Sequence, residues 1–137
     1  MKELRFMNEP RELHSLIQEW ISLADDDLES ARDLARDCHW RQACILSQQA
    51  VEKYVKAMLT QRQIPPHRTH DIEKLASLLT DAETLGLLRP DVLDLSEYAV
   101  DPRYPGTDAG VLDSQDSARA LKAVAQVSEA IHKALGL

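Results

Sequence analysis

Apolar residues recur every three or four positions along most of this chain, which is the period of an α-helix. The most regular stretch is 40–62, WRQACILSQQAVEKYVKAMLTQR, which contains neither Gly nor Pro. Cys44, Ser47, Val51, Tyr54 and Met58 fall on one side of it, flanked by Ala43, Ala50, Val55 and Ala57. The small residues Ala43, Ser47, Ala50 and Ala57 let neighbouring helices approach closely. On the polar side Gln48, Glu52 and Lys56 stand four apart, and Gln49 and Lys53 form a second row. Glu52 ahead of Lys56 is the favourable order for a helix ion pair, contributing about 0.2–0.5 kcal/mol.

The same period predicts the other elements. Leu13, Ile17, Trp20, Ala24, Leu28, Ala31 and Ala35 form a sustained stripe, widened by Leu16, Leu23 and Leu34, so a first helix is expected over 10–37. Asn8 or Glu9 would cap it, with Pro10 at an early position. Cys38-His39 is a short turn, and a connection this short makes the first two helices antiparallel neighbours. Pro65-Pro66 ends the second helix. Thr69 or Asp71 then caps a third over 71–82, carrying Ile72, Leu75, Ala76, Leu78 and Leu79. Arg89-Pro-Asp opens a short fourth over 90–99, with Val92, Leu93, Leu95 and Ala99. After an irregular Pro- and Gly-rich stretch, Asp113 or Ser114 caps the last helix, 114–135, whose expected stripe is Ala118, Leu121, Ala125, Ser128, Ile131 and Leu135.

Composition agrees with this pattern. All four Gly lie in the last two-fifths of the chain, the six Pro sit at expected helix boundaries, and alternating β-branched runs are absent. The expected fold is all-α: an antiparallel up-and-down four-helix bundle with one short additional helix, in a single domain spanning 1–137. A formal charge of −7 argues against general affinity for a nucleic-acid backbone, although it leaves room for a local basic patch. No long apolar run and no signal-peptide pattern is present, so a soluble cytoplasmic protein with no membrane contact is expected. Cys38 and Cys44 read as ordinary thiols in a reducing compartment.

Candidate chemistry gathers in three places. Tyr98, Asp101, Arg103 and Tyr104 crowd a Pro-bounded segment that suits a planar or phosphorylated ligand. The competing reading has Tyr104 packed on the bundle and Arg103 paired with Glu52 or an Asp. Gln49, Lys53 and Lys56 face either a ligand pocket, a dimer seam or solvent. His70 stands at a helix start, where hydrogen bonding to the neighbouring helix is a simpler role than catalysis. Asp27 falls near the apolar stripe, facing a Lys or Arg, while Asp25 and Asp26 are expected in solvent. Trp20 and Trp40 read as core or interface anchors. The Cys and His spacings match no common ligand pattern, so neither a metal nor a cofactor is expected.

Four pieces occur in order: Ala24-Asp-Asp-Asp-Leu-Glu-Ser-Ala, Gln48-Gln-Ala-Val-Glu-Lys-Tyr-Val-Lys-Ala-Met-Leu, Thr69-His-Asp-Ile-Glu-Lys-Leu and Asp101-Pro-Arg-Tyr-Pro. Together, over residues 20–135, they resemble the HEPN domain (higher eukaryotes and prokaryotes nucleotide-binding), in the branch associated with minimal nucleotidyltransferases. The resemblance implies a dimeric four-helix bundle. For many members it also implies a metal-independent ribonuclease with an Arg-x4–6-His motif near the start of the last main helix. There the His takes the 2′-hydroxyl proton and returns one to the leaving oxygen, while the Arg stabilises charge on the phosphate. Here Arg103 lies in the expected region, but position 108 is Asp and none of 108–110 is His. A carboxylate with a pKa of about 4 is a poorer base near neutrality and repels phosphate. The ribonuclease motif therefore reads as degenerate, with Asp108 among the ligand-binding candidates. Arg62 and His67 also match the spacing, but across Pro65-Pro66 and outside the family's position.

The resulting expectation is a HEPN-like binding module for a nucleotide or a nucleotidyltransferase partner, in a toxin–antitoxin-like or stress-response system. Two alternatives stand beside it. One is a metal-independent ribonuclease in which Arg103 works with His67 or His70 across a dimer, and the other is a purely structural helical dimerisation module. A homodimer is expected because Leu16, Leu23, Leu46, Leu87 and Leu88 supply more apolar surface than one core of this size needs.

Overall fold

Three long helices carry the structure: α1 (Pro10–Arg36), α2 (Trp40–Gln61) and, last in the chain, α5 (Ser114–Leu135). Between the second and last of these lie two short ones, α3 (Ile72–Ala76) and α4 (Pro90–Leu93), the latter continuing as a 3-10 helix over Asp94–Ala99. The computed structural model describes residues 10–99 and 111–137, and no strand occurs among them. Asp101, Arg103, Tyr104 and Asp108 lie outside the described residues, as does the expected cap at Asn8 or Glu9.

The packing is that of an up-and-down bundle. α1 and α2 are antiparallel, with Tyr54 meeting Asp25 and Lys53 meeting Asp27. The segment 89–99 is antiparallel to α5: Arg89 at its start pairs with Gln126, and Tyr98 near its end lies beside Asp116. α2 and α5 run in the same direction: Cys44 lies near Asp116 toward their starts, and Tyr54 lies 5.8 Å from the His132 ring further along both. Small residues let them touch, since Ala50, Ala57, Ala120 and Ala123 are buried in the core between the helices.

α2 is the central element. Its expected stripe is buried throughout, and so are Gln48, Glu52, Leu59 and Thr60. The row Gln48–Glu52–Lys56 is thus turned inward at two of its three positions, because α1, α3, the 3-10 helix and α5 all pack around this helix.

Two expectations shift. The third helix was expected over 71–82, yet only Ile72–Ala76 is α-helical, followed by turns through residue 88. In those turns the amides of Leu78, Leu79 and Ala82 bond three residues back, to Leu75, Ala76 and Leu79. Arg62 also draws Asp81 to the end of α2 through a two-pronged ion pair. The third position of the bundle is filled instead by α4 and its 3-10 extension. On α5 the buried face is Ser117, Ala120, Ala123, Val124, Val127 and Ile131, one residue out of phase with the expected stripe at most positions. Leu121, a member of that stripe, lies half-buried at the edge of the core.

Caps and turns set the ends. Asp71 accepts from the amides of Glu73 and Lys74 at 2.9 and 3.3 Å and starts α3. Asp113 and Asp116 form a reciprocal capping box at the start of α5. Gly136 ends α5 in the left-handed conformation, with Leu137 N bonded to His132 O at 2.8 Å.

Candidate functional site

The inward turn of α2 builds a polar cluster around one carboxylate. Glu52 Oε1 accepts from Gln48 Nε2 at 3.1 Å and faces His70 Nδ1 at 2.9 Å, while Oε2 accepts from Lys56 Nζ at 2.9 Å. The residues come together because Gln48, Glu52 and Lys56 are four apart on one helix, and because residues 62–70 double back along it. Lys56 Nζ also lies 5.5 Å from the Trp20 ring centroid, a cation–π distance. Burial alone would raise the Glu52 pKa. The hydrogen bonds from Lys56, His70 and Gln48 outweigh it and hold the carboxyl below its ordinary 4.5. His70 is 72% exposed, so its Nδ1 is fastened to a buried carboxylate while the rest of the ring meets solvent.

The other α2 candidates separate from this cluster. Lys53 turns to α1 and pairs with Asp27. Gln49 is half-buried and makes no side-chain hydrogen bond among the described residues. Asp25, expected in solvent, instead joins three helices. Its Oδ1 accepts from Tyr54 Oη, and its Oδ2 lies 3.2 Å from His132 Nε2. His132 Nδ1 in turn lies 2.7 Å from the Ser128 carbonyl oxygen. Tyr54 is fully buried, and burial together with the Asp25 carboxylate pushes its pKa far up, so the phenol stays protonated as the donor.

A groove runs along α5 where α4 and the 3-10 helix face it. At one end, a cleft of about 150 Å³ is lined by Asp94, Glu97, Tyr98, Asp116 and Arg119. Tyr98 is only 9% exposed, so the groove meets its edge and its ring belongs to the core beside Cys44. Burial, reinforced by the Asp116 charge, pushes the Cys44 thiol up to about 11. At the other end a more open cleft of about 320 Å³ is lined by Arg89, Asp91, Arg119, Lys122 and Gln126. Arg89 Nη2 donates to Gln126 Oε1, and Arg119 Nη2 pairs with Asp116 Oδ1 at 2.7 Å. None of the basic residues of this cleft was singled out from the sequence. The available signal was spacing: Arg119, Lys122 and Gln126 stand at i, i+3 and i+7, one face of a helix.

Of the predicted site residues, Lys56 and His70 are brought together through Glu52, whereas Lys53, Gln49 and Tyr98 point elsewhere. Among the described residues no group of three or more His, Cys, Asp or Glu is arranged to hold a metal ion. No described helix is long and apolar enough to cross a membrane.

The HEPN domain family model matches residues 17–134, nearly the whole of this helical unit. The chain belongs to the HEPN domain family. HEPN domains are helical modules of nucleotide-binding or ribonuclease type. Among solved structures, this HEPN chain is similar to an archaeal HEPN homologue at 26% identity and a TM-score of 0.71, covering 87% of this chain and 97% of that one. It also shares its fold with TT1696 from Thermus thermophilus, at 21% identity and a TM-score of 0.74, over 85% of this chain and 96% of that one. No curated protein matches it.

Proposed function

We propose that this HEPN domain is a non-catalytic binding module for a nucleotide or a nucleotidyltransferase partner, acting as a homodimer in a toxin–antitoxin-like or stress-response pair. The observation that carries the reading is Asp108 in the position where the ribonuclease pattern has His after Arg103. The placement of His132 supports it. His132 is engaged between Asp25 and Ser128, 18 residues beyond the first residue of α5, or about 27 Å at 1.5 Å per residue. The groove along α5 supports the binding part, since it offers cations at one end and carboxylate acceptors at the other.

Two measurements test the proposal. Nucleotide binding by calorimetry should be present in the wild type and lost in Arg103→Ala, with the melting temperature little changed. Affinity purification should also retain a nucleotidyltransferase encoded beside the gene. Failure of both ends this reading. A drop in melting temperature without any ligand would instead favour the structural-module reading.

One observation favours a second reading, a metal-independent ribonuclease. A carboxylate that fixes one ring nitrogen of an exposed His is the arrangement that orients a general base, and Glu52 does this to His70. RNA cleavage in EDTA that disappears in both Arg103→Ala and His70→Ala would replace the first reading with this one.

A further inference from the structure

Charges along the α5 groove are graded by sign. Asp94, Glu97 and Asp116 gather at the Tyr98 end, Arg89 and Lys122 lie at the other, and Asp91 and Arg119 line both. In a chain of net charge −7, three cations line this one cleft: Arg119 is matched by Asp116 at 2.7 Å and Arg89 faces Asp91 at 3.4 Å, which leaves the charge of Lys122 in excess. Charge matching alone does not account for the arrangement of that cleft. Arg89 Nε is buried without a hydrogen-bond partner, because Asp91 Oδ1 at 3.4 Å lies close enough for attraction but out of line for a bond. Lys122 is exposed and makes no ion pair among the described residues. Gln126 holds Arg89 Nη2, which fixes the guanidinium plane before any ligand arrives.

We propose that the Arg89–Arg119–Lys122 cleft binds the terminal phosphate of a small phosphorylated ligand. A guanidinium fork matches phosphate oxygens in pairs, and one held in place beforehand loses little freedom on binding. A cleft of about 320 Å³ has room for a phosphate or diphosphate group. The carboxylates at the Tyr98 end repel a longer polyanion and accept hydrogen bonds from hydroxyl or amino groups instead. The inference takes its ligand class from the nucleotide reading above and deepens it, placing the phosphate on Arg89, Arg119 and Lys122 rather than on Arg103 and Asp108.

Inorganic pyrophosphate, which has no base or sugar, tests the cleft by itself. Calorimetry should show it binding, with affinity falling as salt rises. Lys122→Gln and Arg119→Gln should each weaken binding by about tenfold, as loss of a charged phosphate contact does. Their melting temperatures should match the wild type, because both side chains are exposed. Absence of pyrophosphate binding, or binding unchanged in both variants, overturns the proposal. A nucleoside diphosphate titrated in parallel separates the two ideas. If it binds, is lost in Arg103→Ala and ignores Lys122→Gln, the nucleotide reading stands and the cleft proposal falls. If pyrophosphate binds through Lys122 and the nucleoside diphosphate binds no better, the cleft stands and the nucleotide reading falls.

Discussion

Tyr54, fully buried on α2, donates its hydroxyl hydrogen to Asp25 on α1, and the second oxygen of that carboxylate meets His132 on α5 at 3.2 Å. One half-exposed carboxylate thereby ties together the three long helices. The two partners respond differently to deletion. Tyr54→Phe leaves Asp25 free to hydrate, since its side chain is 46% exposed, and should cost about 0.5–1.5 kcal/mol. Asp25→Ala takes the acceptor from a buried hydroxyl and should cost more, about 1–3 kcal/mol. Urea unfolding of the two variants gives the order. Equal or reversed losses would show that Tyr54 finds another acceptor, such as the neighbouring Ser128 hydroxyl.

Glu52 predicts a pH dependence. Its carboxyl is held below the ordinary 4.5 by Lys56, His70 and Gln48 against the opposing effect of burial. A group whose folded pKa lies below its unfolded one binds fewer protons when folded, so stability rises with pH across that window. The contribution of Glu52 is therefore fully present above about pH 4.5–5 and is lost as pH falls through the depressed folded value. Glu52→Gln should lower stability at neutral pH by about 1–3 kcal/mol, because charged hydrogen bonds become neutral ones. The same substitution should flatten the acid limb of a urea-midpoint-against-pH curve. An acid limb with unchanged slope would mean that other carboxylates dominate it.

Among the described residues, two non-glycine residues hold left-handed backbone just after a helix. Cys38 has φ 66 beyond α1 and Gln63 has φ 54 beyond α2. In both turns the following amide reaches back to the helix, His39 N to Leu34 O at 2.8 Å and Ile64 N to Leu59 O at 2.9 Å. A side chain in this conformation costs about 1–2 kcal/mol, and glycine removes that cost while losing some unfolded-state entropy. Cys38→Gly and Gln63→Gly should each stabilise by about 0.5–1 kcal/mol and raise the melting temperature.

These turns also mark how far the fold was legible from the chain. α1, α2 and α5 were readable to within a residue because each carries more than five turns of unbroken helical period and is bounded by Pro, by an Asp cap or by a Gly stop. Residues 71–82 had the same apolar spacing but too little length to enforce a helix. Tertiary partners decided there instead: Asp81 goes to Arg62, and the Ile72 amide goes to Ser96 Oγ at 2.9 Å. The phase of α5 failed for a related reason. Its buried face is mostly Ala and Val, so one half-buried Leu121 outweighed them in the pattern. Asp25 could not be placed from local sequence, because its partners lie 29 and 107 positions away. For the candidate site, the Glu52–Lys56 half of the cluster was visible in the four-residue spacing on α2, while the approach of His70 to Glu52 was not. The basic cleft depended on which short segment would lie against α5, and no local pattern states that.

The proposed homodimer makes the last prediction. Leu16, Trp20 and Leu23 stand at i, i+4 and i+7 on α1, and Leu23 remains 46% exposed. Trp20 is half-buried, with Lys56 against its ring. Leu87, counted beforehand as surplus apolar surface, is fully buried in the core, so the surplus rests on this α1 row together with Leu46 and Leu88. Burying an exposed leucine contributes about 1.5–3 kcal/mol, and a twofold seam counts it once from each copy. A glutamate at the same position sets like charges opposite one another and must also be desolvated. Sedimentation equilibrium at micromolar concentration should therefore give the dimer mass for the wild type and shift toward monomer for Leu23→Glu, with helical circular dichroism unchanged. A monomer in both cases removes the dimer from the proposal, and a dimer in both moves its seam away from this face of α1.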